Sequence, residues 1–327
     1  MSVSVSQRIL ARPLQRLRGG LITPAATVAT FERRGFHPGT EPDRRALEAA
    51  GTTFLSGLRS ATSGTGVDRL GDTLTGSVPR ERQGFAFEGA AMGLALLDAV
   101  GPRRDRVAGL LKTSGAAHTY MVHVGAGWAL ARLPRPLWRH AVPTDPLLRW
   151  LALDGYGFHE AYFRTPARAD GRWSARLPGW PGLPDAVANV VDQGIGRALW
   201  FVECADPERI AARLRGFAPR RHPDLWAGVG LAAVYAQAGT DQALRLLVEK
   251  AGEHLPPLRQ GAAFAAEART HAGLTTDHTE HAVRVLCGVD ARTAAAVTRE
   301  TRQALPPDGR EPAYQEWRRR IQRHFTD

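Results

Sequence analysis

The chain has 327 residues, 43% of them hydrophobic and 23% charged, with 34 glycines, 22 prolines, two cysteines and a formal net charge of +11. That balance supports a buried core and excludes disordered, collagen-like and disulfide-stapled classes. The positive charge is almost all arginine, Lys112 and Lys250 being the only lysines. Such arginines, spread along the chain and often beside acids, read as a solvated surface and not as a nucleic-acid footprint, which would need them clustered on one face.

The first 31 residues hold no acid and carry Arg8, Arg12, Arg16 and Arg18. Pro13 interrupts any helix there and no apolar run follows, so this reads as a basic arm of a cytoplasmic protein and not as a targeting segment. A helix is predicted over Asp43 to Arg59, with Leu47, Leu55 and Leu58 as anchors. Ser60 to Gly76, rich in Ser, Thr and Gly, reads as a loop. Residues 1–80 thus form an arm and a helical extension.

From residue 81 to 327 a pattern of small residues recurs at the head of apolar helical stretches. It opens at Gly89, Gly125, Gly155, Gly194, Gly228 and Gly261, and in the middle four the glycine is followed by a second two residues on. The spacing of 30 to 39 residues is that of helical-pair repeats. Glycine costs about 1 kcal/mol inside a helix relative to alanine, and close approach of a neighbouring helix offsets that cost. Second helices follow, the clearest opening at Asp206-Pro207, where Asp caps and Pro suits the first turn. Tyr235 to Ala243 resembles the turn of a tetratricopeptide repeat. The expected fold is all-α: a tetratricopeptide-like α-solenoid with a helical N-terminal extension. Residues 165–188, with Trp173 and Trp180, read as an insertion between repeats. No apolar run is long enough to span a bilayer.

Candidate chemistry is sparse. Val122 to Ala131 has the glycines of a dinucleotide loop, but the same glycines recur with no strand before them, so a repeat explains them better. No His-Glu-x-x-His, no Gly-x-Ser-x-Gly and no flanked cysteine nucleophile occurs. His278 and His281 share a face but read as a polar helix start. Neither a metal nor a cofactor is expected. What remains is a set of polar residues in or beside the repeat helices: Glu88, His123, Asp154, His159, Glu160, Asp192, Gln193, Glu203 and Gln260. Glu88, Asp154, Gln193 and Gln260 each stand just before a repeat glycine. Their periodicity favours recurrent hydrogen bonding between repeats; the alternative is convergence on a ligand. In the ligand version the candidate catalytic group is Asp154, His159, Glu160, Asp192 and Glu203, with Trp173 and Trp180 as an aromatic cover. A histidine beside a carboxylate suits acid or base work near neutral pH.

Several long motifs resemble the bacterial DUF1702 family: Glu81 to Met92, Gly125 to Leu133, Asp154 to Glu160, Asp192 to Phe201 and Asp224 to Gly230. The resemblance runs from about Phe31 to Trp317, and members are similar to the UnbL-type proteins of actinobacterial enediyne gene clusters. It implies an accessory role in specialised-metabolite biosynthesis and carries over no catalytic residue. Two versions follow, a scaffold for a partner enzyme and, as the alternative, an enzyme or carrier for an apolar intermediate.

Overall fold

The computed structural model describes residues 24–102, 105–173, 180, 184–309 and 311–326. The basic arm around Arg8 to Arg18, and much of the insertion between Trp173 and Pro184, lie outside the described residues. The described residues form helices and no strand.

Two kinds of helix alternate at both ends of the chain, while three of the inner kind follow one another in the middle. An inner row comprises α1 (Glu41–Thr62), α3 (Gln83–Val100), α5 (Thr119–Leu130), α6 (Leu151–Phe163), α7 (Pro184–Val202), α9 (His222–Tyr235), α11 (Leu255–His271) and α13 (Ala291–Thr301), each packed on the next. Outer helices α2 (Val67–Ser77), α4 (Arg106–Lys112), α8 (Pro207–Leu214), α10 (Asp241–Ala251) and α12 (Asp277–Cys287) lie behind it, and α14 (Ala313–His324) closes the chain against α11 and α13. The predicted helix over 43–59 is α1, extended by a turn into the expected loop. The rest of that loop is largely α2, a correction to the sequence reading. Leu70, Gly71 and Leu74 form its buried face, and its Ser and Thr hydroxyls bond back to carbonyls one turn earlier, Thr73 to Arg69 and Ser77 to Thr73, so a loop-like composition still makes a helix.

Helix starts vary along the row: the terminal inner helices α1 and α13 are capped by the Thr40 and Asp290 side chains, and the outer α2 and α4 have no side-chain cap. Outer helices α8, α10 and α12 start on side-chain caps: Asp206 accepts from the Glu208 and Arg209 amides, Thr240 from Ala243 and Thr276 from Thr279. Inner helices α3, α5, α6, α9 and α11 have no such cap; each continues from a turn of 3₁₀ helix. The central inner helices α3, α5, α6 and α9 are also apolar nearly all the way round, as helices covered on every side must be, whereas α1 and α13 at the ends of the row keep a polar face.

The glycine pattern has a geometric explanation. At 100° per residue, two glycines two positions apart face nearly opposite ways. In α7, a Cβ on Gly194 would lie 2.0 Å from the Asp154 carbonyl oxygen of α6, and one on Gly196 would lie 1.9 Å from the Leu225 oxygen of α9. The neighbours reciprocate: Gly157 meets the Val191 oxygen at 2.2 Å and Gly228 the Gln193 oxygen at 1.9 Å. The first glycine therefore seats the preceding helix and the second the following one. The row begins one helix before the sequence repeat, since Gly57 of α1 and Gly89 of α3 make the same exchange.

Once the glycines hold both flanks, residues one before and three and seven after the first glycine point to the inside of the row. They include Glu88, Asp154 and Gln193, then Trp128, Phe158, Arg197, Leu231 and Phe264, then Tyr162, Phe201 and Tyr235. The row curls until its two halves meet. Phe85 packs edge-on against Tyr235 at 5.3 Å, the Tyr120 hydroxyl donates to Glu267 at 3.1 Å, and the buried Arg269 donates to the Glu81 and Tyr235 carbonyls.

Candidate functional site

Inside the curl are two cavities that share Arg197, Leu231 and Tyr235 as walls. The first is faced by the rings of Phe54, Phe85, Trp128, Phe158, Tyr162 and Phe201, with Glu88 and Arg197 as its charged side chains. Counted as space open to the centre of a water molecule it is about 50 Å³; its whole atom-free envelope, out to solvent, is about 610 Å³. The first figure is the one comparable with cavity volumes, and it exceeds the ~10–15 Å³ that one water needs; the second takes in open solvent. The second cavity, about 30 Å³ by the first measure, reaches from Asp154 and Arg197 to Phe264, Glu267 and Trp317.

A polar group is buried where the cavities meet. Arg197, 6% exposed, donates to Asp154 and lies 3.6 Å from Glu88. Asp154, fully buried, also accepts from the Gln193 amide at 2.7 Å, and that amide lies 3.3 Å from the Tyr314 hydroxyl. Glu88 accepts from the Trp128 indole at 3.1 Å, and the Arg197 guanidinium lies 5.0 Å from the centre of the Phe158 ring. Two carboxyl groups thus share one cation, and Asp154 has the closer hold. Burial pushes the Glu88 carboxyl up to about 7, against the pull of Arg197 and the indole N–H. A carboxyl that exchanges its proton near neutrality, on the wall of an aromatic cavity, is suited to donating or accepting one proton.

The candidate residues do not gather in one place. Asp154 stands at the centre. His159, one turn on, lies edge-on to Trp128 at 5.8 Å and accepts from the Arg132 Nε at 3.4 Å. Burial lowers the basicity of His159, against the neighbouring Glu160. Glu160 turns outward to Arg164 at 3.2 Å and Arg168 at 3.1 Å; burial pushes its carboxyl up, but His159 and the two arginines outweigh that and hold it below the usual range. Asp192 makes a two-pronged pair with Arg221 at 2.8 and 2.6 Å, and Glu203 accepts from Arg209 at 2.8 Å and Arg213 at 2.5 Å. These are framing contacts between layers. Arg221 also donates to the Gly171 and Trp173 carbonyls, tying down the start of the insertion. Trp173 lies under Arg168 at 4.7 Å, and Trp180 packs near Trp138 and Trp150. Neither lines the central cavity.

Sequence reasoning left Arg197 out of the site and kept Glu88 only among the polar residues. Both carry a positional signal: Glu88 is one before, and Arg197 three after, the first glycine of its helix. A second polar cluster lies at the far side, where the buried Arg318 donates to Gln260 at 3.1 Å and Gln315 at 2.7 Å and pairs with Asp224 at 2.7 Å. Burial pushes the Asp224 carboxyl up to about 6 despite Arg318. Both cysteines are buried, and burial pushes their thiols up to about 12, so neither is an activated nucleophile. Among the described residues no group of His, Cys, Asp and Glu is placed to hold a metal, and no helix is long and apolar enough to cross a membrane.

No curated protein and no solved structure matches the chain. A family model described as a protein of unknown function, DUF1702, matches residues 13–325, nearly the whole length. The chain therefore belongs to the DUF1702 family.

Proposed function

We propose that this protein serves specialised-metabolite biosynthesis of the enediyne type in the cytoplasm, holding an apolar small molecule in its central cavity as a carrier or an enzyme. Of the two versions raised by the sequence, the small-molecule version has the stronger support. The observation that carries it is the first cavity, with aromatic walls and two charged side chains, Glu88 and Arg197, at one side. We propose that the fold is a tetratricopeptide-like solenoid, on the row of inner helices packed each on the next with outer helices behind both ends of it. Its concave face, which a scaffold would present to a partner, is here turned onto itself and filled with rings. Asp154 acts by holding Arg197 in place, and His159 stands beside the aromatic wall. Glu160, Asp192 and Glu203, with Trp173 and Trp180, frame the helices around it.

Deletion of the gene in a producing strain, followed by metabolite profiling, tests the proposal. The expected result is an accumulated apolar intermediate that the purified protein binds or converts. Loss of product with no intermediate bound or converted, together with a biosynthetic enzyme that co-purifies, would restore the scaffold.

A further inference from the structure

We infer that the ligand of the first cavity is an amphipathic carboxylic acid, its apolar body among the rings and its carboxylate held by Arg34 and Arg132 at the rim. The inference rests on the reading of that cavity as a small-molecule site. Two cavity walls, Tyr162 and Phe163, lie at the end of α6. Arg34, on a single-turn helix (Phe31–Arg34), has its guanidinium carbon 5.7 Å from the Tyr162 ring centre and 4.9 Å from that of Phe163. Arg132, just past α5, approaches the same Phe163 ring at 5.8 Å. Two cations from separate elements thus flank one ring that lines the cavity, and Val28 and Ala29, just ahead of Arg34, line it too.

Within this corner the pair differs from the arginines beside it in having donors left over. Arg34 uses Nη2 alone, on the Tyr162 and Phe163 carbonyls at 3.2 and 2.9 Å, and its buried Nε has no partner. Arg132 uses Nε alone, on His159. Neither meets a carboxylate among the described residues, whereas Arg164 and Arg168, at the same end of α6, are both taken by Glu160. Glu48, on α1, accepts from the Phe31 amide at 2.8 Å. Burial lowers the basicity of both arginines, and at Arg132 no acid offsets it. Arg34 is half-buried and Arg132 exposed, so both keep donors open that a ligand carboxylate can take, and a guanidinium binds a carboxylate through two parallel N–H donors. The Arg34 contact to the last carbonyls of α6 also fixes the rim in place before any ligand arrives.

The test uses two probes on the full chain at low ionic strength and pH 8: 3-(2-naphthyl)propanoic acid and its methyl ester, with binding read by calorimetry. The acid is expected to bind at least tenfold more tightly than the ester. Arg132→Gln, and Arg34→Gln with Arg132→Gln, should remove that preference while leaving the ester unchanged; Arg172→Gln, on the surface, should leave it intact. Circular dichroism checks that each variant folds, and the comparison of acid with ester on the unaltered protein needs no variant. Equal binding of acid and ester overturns the inference and leaves the cavity reading standing. A preference that survives both substitutions overturns the assignment to these arginines. No binding of either probe overturns the cavity reading and the inference together.

Discussion

The glycine seams allow a sharp test through Gly196→Ala. A Cβ there would sit 1.9 Å from the Leu225 carbonyl oxygen and 2.8 Å from its carbon. A carbon and an oxygen in favourable contact are about 3.3–3.6 Å apart, so α7 and α9 must separate by more than ~1 Å. Neither side can turn away, because both atoms belong to helical backbone and Gly228 pins the same seam from the other helix. Overpacking of this kind costs about 1–3 kcal/mol, against which alanine's better helix propensity returns up to ~1 kcal/mol. The expected net loss is on the order of 1–2 kcal/mol, read from the midpoint of urea unfolding by circular dichroism at 222 nm. Gly76→Ala is the internal control: it is in α2 with nothing within 4 Å of its Cβ, so only the propensity gain applies and the protein should become slightly more stable. Gly196→Leu and Gly230→Leu should cost more than Gly196→Ala. If Gly196→Ala and Gly76→Ala shift the midpoint the same way, the glycines are not there for close approach, and the account of the fold is wrong.

Three further outcomes follow from the buried charges. Glu88 is raised in the folded chain from 4.5 to about 7, so the native state binds the extra proton; its contribution is full below pH 4.5 and is lost as pH rises through 7. Glu88→Gln should flatten that decline, which is on the order of 3 kcal/mol by linkage, and a pH–stability slope between 5 and 7 identical to the parent would refute the assignment. Arg197→Met strands Asp154 in the interior and should cost about 3–5 kcal/mol, while adding Asp154→Leu should recover much of it; a double variant no more stable than the single in urea would count against the pairing. Arg221→Met frees Asp192 and the Gly171 and Trp173 carbonyls, so limited trypsin digestion should cut faster after Arg168 or Arg172, and an unchanged rate would show that the tie does not hold this segment.

The seams were legible in the chain itself. Glycines at 194 and 196 and at 228 and 230 can only face opposite ways on a helix, and their offset cost already pointed to close neighbours. The same periodicity marked Glu88, Asp154, Gln193 and Gln260 as one class of position. The curl was not legible, because Phe85 meeting Tyr235, or Arg269 reaching Glu81, depends on small rotations accumulated over five helices and leaves no local trace. Ion pairing was hidden for a similar reason: Asp154 and Arg197 are 43 residues apart, and a density of charge near His159 says nothing about which arginine each carboxylate will find. Residues 60 to 76 misled in the opposite direction, their Ser and Thr content masking the spacing of Leu70 and Leu74.

Because the helices are spaced by backbone against backbone, the frame of this protein is set by atoms that carry no side chain. The residues that face the axis are relieved of holding the helices apart. The glycine contacts that set the pitch do not run through the side chains of Trp128, Phe158, Leu231 or Phe264, so exchanging one of these costs its own packing and bonds without moving the seams. The lining of the chamber is in this sense upholstery on a fixed chassis, and relatives that keep the glycines can diverge in what they enclose without first inventing a new fold.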